Sequence, residues 1–95
     1  MNEDLYPTEE QLKTIREWDI ITQGVTPLVQ YVMDIWHWDD YCSLTGKKLE
    51  LHTGGWSGNE EIVDALQNNQ MFWMLCWRKT ERGGHYYFHI KEVKK

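Results

Sequence analysis

Two glycine-bearing stretches carry the residues best suited to chemistry. The first is Thr53-Gly54-Gly55-Trp56-Ser57-Gly58-Asn59-Glu60, which runs from an expected strand into an expected helix. Exposed backbone N–H groups in such a loop, with the positive end of a helix dipole behind them, suit a phosphate or carboxylate. Gly54, Gly55, Ser57 and Gly58 would supply backbone and hydroxyl contacts, and Trp56 a ring for a base. No lysine follows the glycines, so this is not a P-loop for nucleotide hydrolysis. Glu60 and Glu61 fall in the first helical turn and oppose an added anion. A second account of the same residues therefore stands beside the first: a tight capped connection, with Ser57 and Glu60 as a capping box and Trp56 packed on the core.

The second stretch is Arg82-Gly83-Gly84-His85-Tyr86-Tyr87-Phe88-His89. Arg82 falls on an expected hairpin tip, and His85, Tyr87 and His89 share one face of the strand that follows. A cation beside imidazole and phenol groups suits an anionic or aromatic ligand. A solvated hairpin with an amphipathic strand explains the same pattern without a ligand. Along a strand rising ~3.3 Å per residue, His85 and His89 lie about 13 Å apart, too far to share a metal. His37, His52, Cys42 and Cys76 have no paired-ligand spacing, and Asp39-Asp40 read as plain surface. Neither a metal nor a cofactor is expected. No Gly-x-Ser-x-Gly elbow or His-Glu-x-x-His motif is present. A histidine pair with Arg82 would still need a nucleophile or a water-positioning group to act by acid–base catalysis. Binding, not catalysis, is the expectation.

The motifs Thr53-Gly54-Gly55-Trp56-Ser57-Gly58-Asn59-Glu60 and Arg82-Gly83-Gly84-His85-Tyr86-Tyr87-Phe88-His89-Ile90, with Met71-Phe72-Trp73 between them, resemble a group of small proteins encoded by bacteriophages and prophages. The resemblance spans roughly residues 36 to 92 and brings no catalytic residues with it. It implies a phage origin and expression in a bacterial host cytosol. It also implies a role in countering host defence, either by sequestering a nucleotide signal or by blocking a host protein.

The elements that must position these residues follow from periodicity. Thr8-Glu9-Glu10-Gln11 fits a capping box, and Leu12, Ile15 and Trp18 continue at helical spacing, which predicts a helix near 9 to 21 stopped by Gly24. Thr26-Pro27 opens a second helix near 27 to 36. Residues 41 to 44 and 48 to 53, joined through Thr45-Gly46-Lys47, read as a hairpin with Leu49 and Leu51 on one face and Glu50 and His52 on the other. A third helix is expected near 58 to 68. Met71 to Trp77 is unbroken apolar sequence rich in aromatic rings, which predicts a strand. His85 to Glu92 alternates and predicts its partner, with Tyr86, Phe88 and Ile90 buried. The expected order is ααββαββ, an α+β domain with a four-stranded antiparallel sheet.

That reading leaves a surplus of apolar surface. Strand 71–77 is greasy on both faces, whereas its partner is polar on one, and three helices on so small a chain cover one sheet face. An uncovered aromatic face marks a ligand, a partner or a subunit boundary. Six tryptophans in 95 residues sharpen the point.

Composition bounds the rest. With 41% apolar and 26% charged residues the chain is globular rather than disordered, and 95 residues make one domain, with 1–7 and 93–95 expected to be flexible. No apolar run approaches a membrane span, and the acidic start Met1-Asn2-Glu3-Asp4 is unlike a secretory signal. Two cysteines build no disulfide framework, which points to a reducing cytosol. The net charge of −5 argues against direct nucleic-acid binding. Residues 1–20 carry a net −4 and residues 78–95 a net +4, which places a cationic surface at the C-terminal end. Together these predict a phage-encoded binding protein, homo-oligomeric to deepen its pocket, that holds a small nucleotide-like anion. The alternative is a protein–protein inhibitor that uses its aromatic sheet face or its acidic first helix. An enzyme acting on nucleotides is a distant third.

Overall fold

The computed structural model describes residues 6–37 and 39–92. Of the ends expected to be flexible, 1–7 and 93–95, residues 1–5 and 93–95 lie outside the described residues. Tyr6 is described: its hydroxyl bonds Ser57 at 3.1 Å and its ring packs 4.7 Å from that of Trp56.

The chain begins as its sequence predicts. Thr8 accepts from the Gln11 N–H, and the Gln11 side chain accepts from the Thr8 N–H, opening α1 (Glu9–Arg16). The single helix expected to residue 21 breaks, however. Asp19 turns its carboxylate onto the N–H groups of Ile21 and Thr22 and so starts a separate short helix, α2 (Ile20–Gln23). An aspartate competes with the helix for backbone donors in this way wherever a neighbour can satisfy the carbonyls it strands. Here Asn69 does so, its amide donating to Ile15 O at 2.9 Å and Trp18 O at 3.0 Å.

Gly24, at φ 93°, ends α2 and leads directly into α3 (Val25–Ile35). The helix starts two residues before the expected Thr26-Pro27 boundary because its cap comes from the other end of the chain. The Glu92 carboxylate accepts from Val25 N at 2.7 Å, Thr26 N at 2.8 Å and Thr26 Oγ1 at 2.7 Å. Pro27 still falls in the first turn, where its missing N–H is harmless.

After a 3-10 turn at Asp39–Tyr41, β1 (Cys42–Thr45) and β2 (Lys48–His52) form the predicted hairpin, with Leu44 opposite Leu49. Helix α4 (Ser57–Asn68) follows. The expected Ser57/Glu60 capping box does not form. Trp56 occupies the cap position and its side chain does not cap the helix, so Ser57 is already helical, one residue too late to cap.

The largest departure is at residues 70–76. The expected strand is a helix, α5 (Gln70–Cys76), and the strand β3 (Trp77–Glu81) starts where the expected one ended. Asn69 decides this: its Oδ1 accepts from Phe72 N at 3.2 Å and caps the new helix. Phe72 and Cys76, four residues apart, then bury completely on one side, and Met74 on the other stays 84% exposed. Strand β4 (His85–His89) completes the sheet, ending earlier than the expected Glu92, although Ile90 N still bonds Lys47 O at 2.7 Å.

The result is an α+β fold with a four-stranded antiparallel sheet in the order β1-β2-β4-β3. Among the described residues five α-helices replace the three helices expected, and the order is ααα ββ αα ββ. Leu49, Leu51 and Phe88 from the sheet meet Leu28, Val29, Val32, Ile62, Leu66 and Phe72 from the helices in one core. Each such side chain, fully buried, contributes on the order of 1.5–3 kcal/mol of transfer free energy.

Candidate functional site

Because side chains alternate along a strand, one sheet face is core and the other is defined by its register partners. Lys48 lies opposite His89, Glu50 opposite Tyr87, and His52 opposite His85. On the other side of β4, Lys79 lies opposite Tyr87 and Glu81 opposite His85. None of these side chains is buried, and no described helix covers them. The face is open, as expected, but it is polar. The greasy strand that was to lie on it is α5, packed on the opposite side of the sheet.

Three local arrangements organise this face. At one end, His52 Nδ1 and His85 Nδ1 are 2.7 Å apart, and Glu50 Oε1 lies 3.4 Å from His52 Nε2. In the middle, the Tyr87 hydroxyl donates to Glu81 at 3.1 Å, while Lys79 Nζ sits 3.3 Å from Glu81 and 5.0 Å from the Tyr87 ring centre. Lys79 and Tyr87, in that order, hold the Glu81 carboxyl below its usual range. Partial desolvation, and then the bond to Glu81, push the Tyr87 phenol up. At the far end, Lys48, Glu50, Arg78, Lys79, Tyr87, Phe88 and His89 line a groove of about 530 Å³. Arg78 joins the others because β3 bulges between Trp77 and Lys79, which sets an extra residue on this strand. Lys48 and Arg78, with Lys79 held by Glu81, stand around a phenol and an imidazole, and Glu50 is the single acid in the lining, which suits an anion that carries a flat ring.

The two glycine motifs meet, but for structural reasons. Thr53 N donates to Gly84 O at 2.9 Å, which ties the loop after β2 to the β3–β4 turn. A Cβ on Gly84 would run into Thr53 Oγ1, and one on Gly58 would run into the Trp56 ring. The Trp56 ring in turn packs on His37, their centres 4.3 Å apart, and on Tyr6. Gly54 and Gly55 are exposed, with φ 64° and 75°, and turn the chain toward α4. Trp56, Ser57 and Gly58 are thus engaged in packing and in the Tyr6 bond, while Arg82 stands exposed at the turn and lines no part of the groove. Of the expected ligand residues, His85, Tyr87 and His89 lie on the open face; Gly54, Gly55 and Arg82 lie at its glycine end.

Sequence reasoning missed Lys48, Glu50, His52, Arg78 and Lys79 as members of this face. The alternation of residues 48–52 already separated Glu50 and His52 from the leucines, but which strands lay side by side was not visible. It also missed Asn59, fully buried, whose Oδ1 accepts from His37 N at 2.9 Å and whose amide donates to His37 O at 3.0 Å and Thr53 O at 3.4 Å. Among the described residues, no three His, Cys, Asp or Glu side chains converge to hold a metal ion. Cys76 is buried, and burial pushes its thiol up, away from nucleophilic use. No described helix is long and apolar enough to cross a membrane. No protein-family model, curated protein or solved structure matches the chain.

Proposed function

We propose that this chain is a non-enzymatic binding protein that takes a small anionic, nucleotide-like ligand on its open sheet face. In the bacterial cytosol that its resemblance to phage proteins implies, its action is sequestration of such a ligand. The observation that carries the reading is the groove. Lys48, Arg78 and Lys79 surround Tyr87 and His89 on a chain whose net charge is −5. Local cations on an acidic protein draw an anion to one place on the surface. The ring of Tyr87 offers a base a stacking face, and the cations offer its phosphates charge-assisted bonds.

A thermal-shift panel of linear and cyclic nucleotides tests it. At least one member raises the melting temperature by several degrees, and Arg78→Ala or Lys48→Ala removes that gain. A flat panel at millimolar concentration contradicts the reading.

A second reading rests on a separate observation. Met71, Met74 and Trp77 are 49%, 84% and 41% exposed on α5 and at the start of β3, beside a sheet edge whose residues are all exposed. Such a patch next to an unpaired edge suits a protein partner, either a host protein or a second copy of this chain. Light scattering across a concentration series checks the second copy: a dimer is expected that Met74→Lys dissociates, and a monomer at every concentration removes it.

A further inference from the structure

The paired histidines contain more information than their distance. Two Nδ1 atoms at 2.7 Å hold one proton between them: one ring donates and the other accepts. Glu50 Oε1, 3.4 Å from His52 Nε2, places a negative charge on that side of His52. It favours the tautomer with the proton on Nε2, which leaves His52 Nδ1 as the acceptor. His85 must then donate from Nδ1, so its Nε2 carries a lone pair. That atom faces the glycine turn, where a Cβ on Gly83 would sit 3.2 Å away. Glu50, His52 and His85 thus form a chain with one vacant proton position, at its outer end.

The same Glu50 is the single acid lining the groove. A bound anion is repelled by it, and a proton added to the chain offsets that repulsion. Resting on the reading of the groove as an anion site, we propose that Glu50, His52 and His85 form a proton relay that takes up one proton at His85 Nε2 as the anion binds, making binding tighter below neutral pH. The charges around His85 are of both signs, and Arg82 is exposed on the turn that Nε2 faces. On β3, Glu81 lies opposite His85, while Lys79, already paired with Glu81, lies one register position away. On β2 and β4, Lys48 and His89 stand at the far end, and Tyr87 is a neutral phenol bonded to Glu81. Protonation at Nε2 leaves the Nδ1–H···Nδ1 bond intact, so the relay charges without coming apart.

The test has two arms on the full chain. Long-range nitrogen–proton correlation spectra at pH 8 assign the imidazole tautomers. His52 is expected as Nε2–H and His85 as the less common Nδ1–H; both rings as Nε2–H overturn the relay. Calorimetric titration then uses cyclic di-adenosine monophosphate, whose phosphodiesters keep their charge across the range. Its Kd is expected to fall about three- to tenfold from pH 8 to pH 6, which corresponds to an average uptake of roughly a quarter to a half of a proton over that range. Glu50→Gln and His85→Gln each flatten that profile. Equal affinity at both pH values overturns the relay and leaves the groove reading standing. No binding at either pH overturns the relay, and together with a flat thermal-shift panel it overturns the groove reading as well.

Discussion

Two buried asparagines join segments that are far apart in sequence. Asn59 holds the end of α3 and the end of β2 against α4 through three backbone bonds, while Asn69 holds the frayed end of α1 and caps α5. Removing either side chain strands buried backbone groups, each worth roughly 1–3 kcal/mol. Asn59→Ala is expected to destabilise the protein by about 3 kcal/mol in urea unfolding. Loss below about 1 kcal/mol would mean that water replaces the amide. Glu92 works differently, from an exposed position. Its bonds to Val25 and Thr26 hold its carboxyl below the usual range, with the Val25 N–H first among the causes. A lowered folded-state value stabilises the protein fully above the unfolded carboxyl range, near pH 4.3, and the gain is lost as pH falls through the folded value. Glu92→Gln is therefore expected to cost about 1 kcal/mol at neutral pH, held down by solvent screening, and progressively less in acid. A cost that is constant down to strong acid would contradict the capping role.

At the scale of elements, what was legible depended on alternation. Leu49/Leu51 against Glu50/His52 marked the first hairpin, and Phe88 against Tyr87/His89 marked the last strand and, with His85, three residues of the open face, but the partner of that last strand was misplaced. The run Met71–Trp77 carries no alternation, and a buried strand and a helix look alike in such a stretch. Asn69 follows directly on the expected end of the third helix at residue 68, and in the structure it both ends α4 and begins α5. The break after Arg16 was hidden for a similar reason: Asp19 initiates a helix only because Asn69, distant in sequence, satisfies the carbonyls before it. The helical assignment makes a contrast that a strand would not. Phe72→Ala should cost about 3–5 kcal/mol, whereas Met74→Gln, on the opposite side of α5, should leave the urea midpoint within about 0.5 kcal/mol of the parent. Comparable losses at both positions would indicate burial on both sides, as in a covered strand.

Among the described residues the molecule is one-sided: helices lie on one sheet face, and the other carries Lys48, Glu50, His52, Lys79, Glu81, His85, Tyr87 and His89. The glycine motifs drew attention in the sequence because glycines near a helix start suit phosphates. In the fold they bring Thr53, Trp56 and Gly84 into contact and so fix how the open face ends. The cationic C-terminal region contributes through Arg78 and Lys79, placed by a bulge that no local pattern announces. The measurement closest to the central claim is a backbone amide chemical-shift map with a nucleotide that stabilises the protein. The account predicts shifts concentrated at Lys48, Glu50, Arg78, Lys79, Tyr87 and His89. Shifts confined to Gly54–Gly58, or to Met71–Trp77, would contradict it.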